Sequence, residues 1–259
     1  MNDKKESLLF RFMIRVIRRV YPVPEISGTE NLPDEPCLIV SNHAKTHGPI
    51  ISQLYFPDDS YTWCASQVMH LADFPGYAFE DFWSYKPEWS HWFWHVLSYL
   101  IAPFGVSLMK NAHTIETFTD NRILSTFRNT VKALQEGNHV IIFPEFKENY
   151  NHILNRFHDG FINVAKLYYK KTGQALQLVP MYIAPALKKT VIGQPIRFCP
   201  ENPIDEERTR LSEELMRRIT DLAEGLPLHR VIPYDNKIPM KDYPFNTYEG
   251  VSRNENTSC

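Results

Sequence analysis

The stretch Cys37-Leu-Ile-Val-Ser-Asn-His43-Ala-Lys-Thr-His47-Gly-Pro49 decides how this chain folds. Its first five residues are a short uncharged run, suited to a strand buried on both faces. Pro49 fits the first turn of a helix over 50–55, because that turn leaves its N–H groups unbonded anyway. The stretch therefore reads as buried strand, polar loop, helix. Working outward, the same alternation repeats. A strand is expected over 61–68. Leu124, Phe127, Val131 and Leu134 have helical spacing over 124–135, with Gly137 at the C-cap. Residues 139–143 and 176–183 are further apolar strands, and a helix over 161–169 runs toward Gly173 between them. A fourth strand, 190–198, is broken at Gly193-Gln-Pro195, and a charged amphipathic helix covers 206–224. Strands alternating with helices predict an α/β fold, a mixed sheet flanked by helices.

The chain of 259 residues has 43% hydrophobic and 22% charged side chains, a globular composition long enough to bury a core without staples. With 28 basic and 30 acidic side chains the net charge is -2, which excludes a strongly basic nucleic-acid binder. The four cysteines, Cys37, Cys64, Cys199 and Cys259, form no CxxC pair and read as the reduced thiols of a cytosolic protein.

Three parts are expected: a basic amphipathic N-terminal helix over 1–22, one α/β domain over 23–233, and a polar C-terminal tail over 234–259, extended or loose. The first 20 residues hold six basic and two acidic side chains. Arg11, Arg15 and Arg18 share one helical face, and Leu8, Leu9, Phe12, Met13, Val16, Ile17 and Val20 fill the rest. Such a helix suits an anionic membrane interface. The aromatic stretch 82–104 adds Trp and Tyr, which favour that interface. Its longest apolar run, 92–104, is too short on its own to span a bilayer. The expectation is a peripheral protein on the inner, cytoplasmic face of the membrane, without a span.

Three segments carry chemistry. His43 follows a buried strand, where ligand sites of α/β sheets gather, and histidine is the usual general base near neutral pH. His47 lies four residues on, but a zinc site needs a third protein ligand that the sequence does not place, so no metal is expected. Glu145 and Lys147 follow the strand over 139–143. Lys110 closes Gly105-Val-Ser-Leu-Met-Lys110 and could meet a phosphate as a point charge.

Taken in order, Asn42-His43, Gly105…Lys110, Phe143-Pro144-Glu145 and Val179-Pro180 resemble the PlsC-type glycerolipid acyltransferase family over roughly residues 24–200. That family has a His-x4-Asp loop, a glycine-apolar-arginine segment, an FPEG-type segment and a V-P strand. Here Gly48 stands where the family has aspartate, Lys110 where arginine is usual, and Phe146-Lys147 where glycine and threonine follow the glutamate.

The resemblance implies His43 as catalytic general base. It implies Lys110, Glu145 and Lys147 at the acceptor and its phosphate, with Asn42 and His47 as candidate accessory residues. It implies no resident cofactor. The partners are an acyl thioester donor (acyl-CoA or acyl carrier protein as co-substrate), a lysophospholipid acceptor such as 1-acylglycerol 3-phosphate, and a membrane surface. Gly48 leaves the base without its usual carboxylate partner, so a non-catalytic lipid-binding homologue is the alternative. A hydrolase built on His43 and a carboxylate is the third reading, although no GxSxG elbow of the α/β-hydrolase kind is present.

Overall fold

The computed structural model describes residues 8–21, 23–56 and 60–247. Asp58 and Asp59, either of which could have partnered His43, lie outside the described residues, as do Cys259 and the two ends of the chain. Helix α1 (Leu8–Val20) leads into β1 (Glu25–Ser27), β2 (Leu38–Ser41), α2 (His47–Tyr55) and β3 (Ser60–Ala65). Two helices follow, α3 (Phe74–Phe82) and α4 (His91–Asn111), then β4 (Thr114–Thr117), α5 (Ile123–Gln135) and β5 (His139–Ile142). A small antiparallel pair, β6 (Glu145–Asn149) and β7 (Asn155–Phe157), stands apart from the main sheet. The chain ends through α6 (Asn163–Thr172), β8 (Gln177–Ala184), β9 (Lys189–Ile192), β10 (Ile196–Arg197) and α7 (Ile204–Glu224).

The main sheet runs β1-β9-β8-β2-β5-β3-β4, with β10 on the β9 side of β8. Strands β8, β2, β5, β3 and β4 are mutually parallel, and β9 is antiparallel to β8, so the sheet is mixed. Side chains alternate across it. Leu38, Val40, Val140, Ile142 and Leu178 face α5, α6 and α7, while Cys37, Ile39, Ile141, Val179 and Met181 face α2. Both faces are covered, which explains why the central strands read as continuous apolar runs rather than as alternation.

Three expectations change. The short apolar run over 92–104 is part of a single helix of 21 residues, about 32 Å at 1.5 Å per residue. By length and composition that helix is able to cross a membrane. Gly105 does not break it. A Cβ there would stand 2.4 Å from Phe74 Cζ, so the glycine lets α4 pack closely on α3. The fourth strand is two, β9 and β10, divided at the Gly193-Gln-Pro195 break. The tail from Tyr234 is irregular through Thr247 but packed: Tyr243 and Asn246 are buried, and Asn246 donates to the Ala223 and Leu226 carbonyls at the end of α7.

Candidate active site at the carboxyl ends of the parallel strands

The loop after β2 carries the site, and three features fix its shape. Asn42 is buried and holds both backbone groups of Ile183, accepting its N–H at 2.8 Å and donating to its carbonyl at 3.0 Å. Ala44 and Lys45 take positive φ (46° and 56°), a left-handed turn that non-glycine residues adopt at some cost. Gly48 donates its N–H to the His43 carbonyl at 3.1 Å, so close that a Cβ on Gly48 would stand 2.6 Å from that oxygen and 2.9 Å from Phe143 Cε1. The tight turn folds the Lys45 carbonyl back onto His43 Nδ1.

That hydrogen bond sets the tautomer. A carbonyl only accepts, so Nδ1 carries the hydrogen and Nε2 keeps its lone pair. Among the described residues nothing hydrogen-bonds to Nε2. The ring lies edge-on between Phe143 and Tyr234, with centroids 5.5 and 5.4 Å away. Burial disfavours the imidazolium and pushes the His43 pKa down to about 4, against the Lys45 carbonyl, which favours it.

Glu145 is buried and its two oxygens are both taken. Oε2 accepts the His43 backbone N–H at 2.6 Å and Oε1 accepts that of Asn155 at 2.9 Å. Where a role at the acceptor was expected, the structure shows a clamp between the His43 loop and the β6–β7 hairpin. Burial raises its pKa to about 7, and the two backbone N–H groups pull the other way. Between about pH 4.5 and 7 the folded chain therefore holds a proton that the unfolded chain does not, and stability falls as pH rises through that window. His43 does the reverse: with its folded pKa depressed, stability rises with pH between about 4 and 6.5. The two slopes oppose each other. Glu145→Gln should remove the first, so urea midpoints of the variant should climb more steeply between about pH 4.5 and 6.5 than those of the wild type. It should also cost about 1–3 kcal/mol, since one amide oxygen cannot replace two carboxylate oxygens. Parallel pH dependences would contradict the assignment.

Lys147, on β6, is exposed and lies near Asp81 of α3, whose carboxyl burial raises while the Asn236 amide and the Lys147 charge lower it. Asn236 donates to Asp81 at 2.9 Å. Lys45 donates to the carbonyls of Asn236 and Ile238 and stands 4.8 Å over the Tyr243 ring. Asp81, Tyr234, Asn236 and the Lys45 carbonyl were missed by sequence reasoning. They are distant in the chain or are backbone groups, and neither leaves a local pattern.

Two expected residues lie elsewhere. Lys110 is exposed in the last turn of α4, just before β4. Since β4 runs parallel to β2, Lys110 is at the opposite end of the sheet from His43, and the structure does not bring it to the site. His47 begins α2 and turns to Tyr21, 5.4 Å away, not to His43. Among the described residues no three His, Cys, Asp or Glu side chains are grouped to hold a metal.

A cavity of about 370 Å³ opens beside the site. Trp63, Phe118, Phe127, Phe143 and Phe161 make most of its wall apolar, and Phe143 also touches His43. The arrangement can take a proton at Nε2 and shelter an apolar group next to it.

No family model matches the sequence. No curated protein matches it either. Among solved structures, the chain is similar to the 1-acyl-sn-glycerophosphate (LPA) acyltransferase PlsC from Thermotoga maritima, at 16% identity, with a TM-score of 0.49, over 85% of this chain and 80% of that one.

Proposed function

We propose that this chain is an O-acyltransferase, moving a fatty acyl group from a thioester donor to a hydroxyl of a lysophospholipid-type acceptor such as 1-acylglycerol 3-phosphate. The observation that carries the reading is the His43 ring, locked through Nδ1 on the Lys45 carbonyl with Nε2 left as base. In this mechanism Nε2 takes the acceptor's hydroxyl proton as that oxygen attacks the thioester carbonyl. The C–S bond then breaks, and the imidazolium returns the proton to the departing thiolate. The ester and the free thiol are the products, and no resident cofactor takes part. The Lys45 carbonyl stands in for the missing carboxylate in holding the tautomer, but it brings no negative charge to the imidazolium.

The apolar cavity beside Phe143 suits an acyl chain, and Lys147, an exposed cation at this end of the sheet, suits the acceptor's phosphate, while Lys45 is tied to the Asn236 and Ile238 carbonyls. Lys147→Ala should raise KM for a phosphorylated acceptor about tenfold and leave a neutral lyso-acceptor unchanged, whereas Lys110→Ala should alter neither. Equal loss on both acceptors would remove Lys147 from phosphate binding. The enzyme would work as a peripheral protein on the inner face of the membrane, drawing its acceptor from the lipid surface.

The reading is tested by transfer of labelled acyl groups from acyl-CoA, and separately from acyl carrier protein, to a panel of lyso-acceptors in vesicles. Transfer by one donor is the expected result. A folded chain that binds lysolipid but transfers from neither donor would instead be the non-catalytic lipid-binding homologue.

A further inference from the structure

The exposed face of α4 has no role in the chemistry above. Trp92, Phe93, Val96, Tyr99, Leu100 and Phe104 recur at helical spacing and are each about half to two-thirds exposed. The opposite face, Ser98, Ala102 and Val106, is buried. Trp94 stacks on Trp83, and His95 stacks on Phe79 of α3. Lys86 lies over the rings of Tyr85 and Trp94 just before the helix, and Lys110 closes its other end. Helix α1 packs against α4 and adds exposed Phe12 and Val16 with exposed Arg11, Arg15 and Arg19. An apolar stripe of this length, with tryptophan and tyrosine on it and cations at both ends, has the chemistry of an anionic lipid interface.

The connectivity decides how such a helix can sit. Strands β3 and β4 are hydrogen-bonded neighbours, Thr62–Ala65 against Thr114–Thr117. Helices α3 and α4 are the connection between them. If α4 crossed a bilayer, β4 would emerge on the far side from its own partner, and α3, at 9 residues, is too short to cross back. We infer that α4 lies flat in one leaflet of an anionic bilayer, its aromatic stripe buried and both ends on the same side. This deepens the membrane part of the reading above, and the test uses binding rather than transfer, so either can fail without the other.

Full-length chain is mixed with sealed vesicles of equal phosphatidylcholine and phosphatidylglycerol. The wild type should co-sediment, and brominated acyl chains should quench its tryptophan fluorescence. Tyr99→Glu/Leu100→Glu should weaken partitioning at least about tenfold. Leu124→Glu, at an exposed position away from α4, should not change it. Cysteines introduced at Lys86 and Lys110 should both react with a membrane-impermeant maleimide added outside, read peptide by peptide. Labelling at only one of the two until detergent is added would mean crossing and would overturn the inference. So would failure to co-sediment, unchanged binding of the double variant, or a concentration-dependent dimer that hides the stripe and binds no vesicles.

Discussion

His43→Ala should lower acyl transfer by about 10²–10⁴-fold, the usual contribution of a positioned general base. Much of the loss should fall on kcat, because the proton transfer is made only in the transition state. The fold should survive, since the backbone N–H of residue 43 and its bond to Glu145 remain. The pH dependence separates this base from an ordinary surface histidine. With its pKa pushed down to about 4 by burial, His43 is neutral across the physiological range. The wild-type rate should therefore show no acid limb from this group near pH 6.5 and should fall only as pH approaches about 4. Unchanged transfer by His43→Ala would remove His43 from the chemistry. An acid limb near the ordinary histidine value that disappears in the variant would keep His43 as base but show a solvated ring.

Gly48→Asp has the second large effect, and its direction runs against the family resemblance. Restoring the aspartate of a His-x4-Asp loop would be expected to help a histidine that lacks its carboxylate. Here the position has no room. The new Cβ would meet the His43 carbonyl at 2.6 Å and the Phe143 ring at 2.9 Å, and both are held, the one by the Gly48 N–H and the other beside the core around Ile141 and Val179. Something must shift, and overpacking of this kind costs about 1–3 kcal/mol. The turn that brings the Lys45 carbonyl to Nδ1 lies nearest the clash and should open first, so transfer should fall by at least about tenfold along with stability. Gly48→Ala, with the same Cβ and no charge, should reproduce most of the loss. A Gly48→Asp protein more active than the wild type would show that the loop accepts a carboxylate and that the carbonyl is a poor substitute.

Much of the fold could be read from the sequence because its signals are local. Leu38–Ser41 and His139–Ile142 are apolar runs ended by polar loops, and they are the central strands. The spacing of Phe127, Val131 and Leu134 gives α5. The strands that escaped reading, β1, β4, β6 and β7, are short and half-exposed; β1 and β4 exist through pairing with distant partners, such as Lys189–Val191 for β1, and β6 and β7 through pairing with each other. Candidate site residues divide the same way. His43 and Glu145 were legible because each follows a buried strand, yet the job of Glu145 was not, because it depends on which N–H groups reach its oxygens. Lys110 was misplaced because Gly105…Lys110 was matched to a family segment, when it is the last turns of α4 and ends before β4, away from His43.

The strap over Lys45 has a consequence in time. Lys45 is tied to carbonyls 191 and 193 residues further along, and Tyr234 covers the His43 ring. A ribosome that has finished the main sheet and α7 has still not delivered Tyr234, Asn236 or Ile238. The chain should therefore emerge with an open, unfinished pocket that closes only once residues 234–238 have arrived, so competence for chemistry comes after the main sheet is complete.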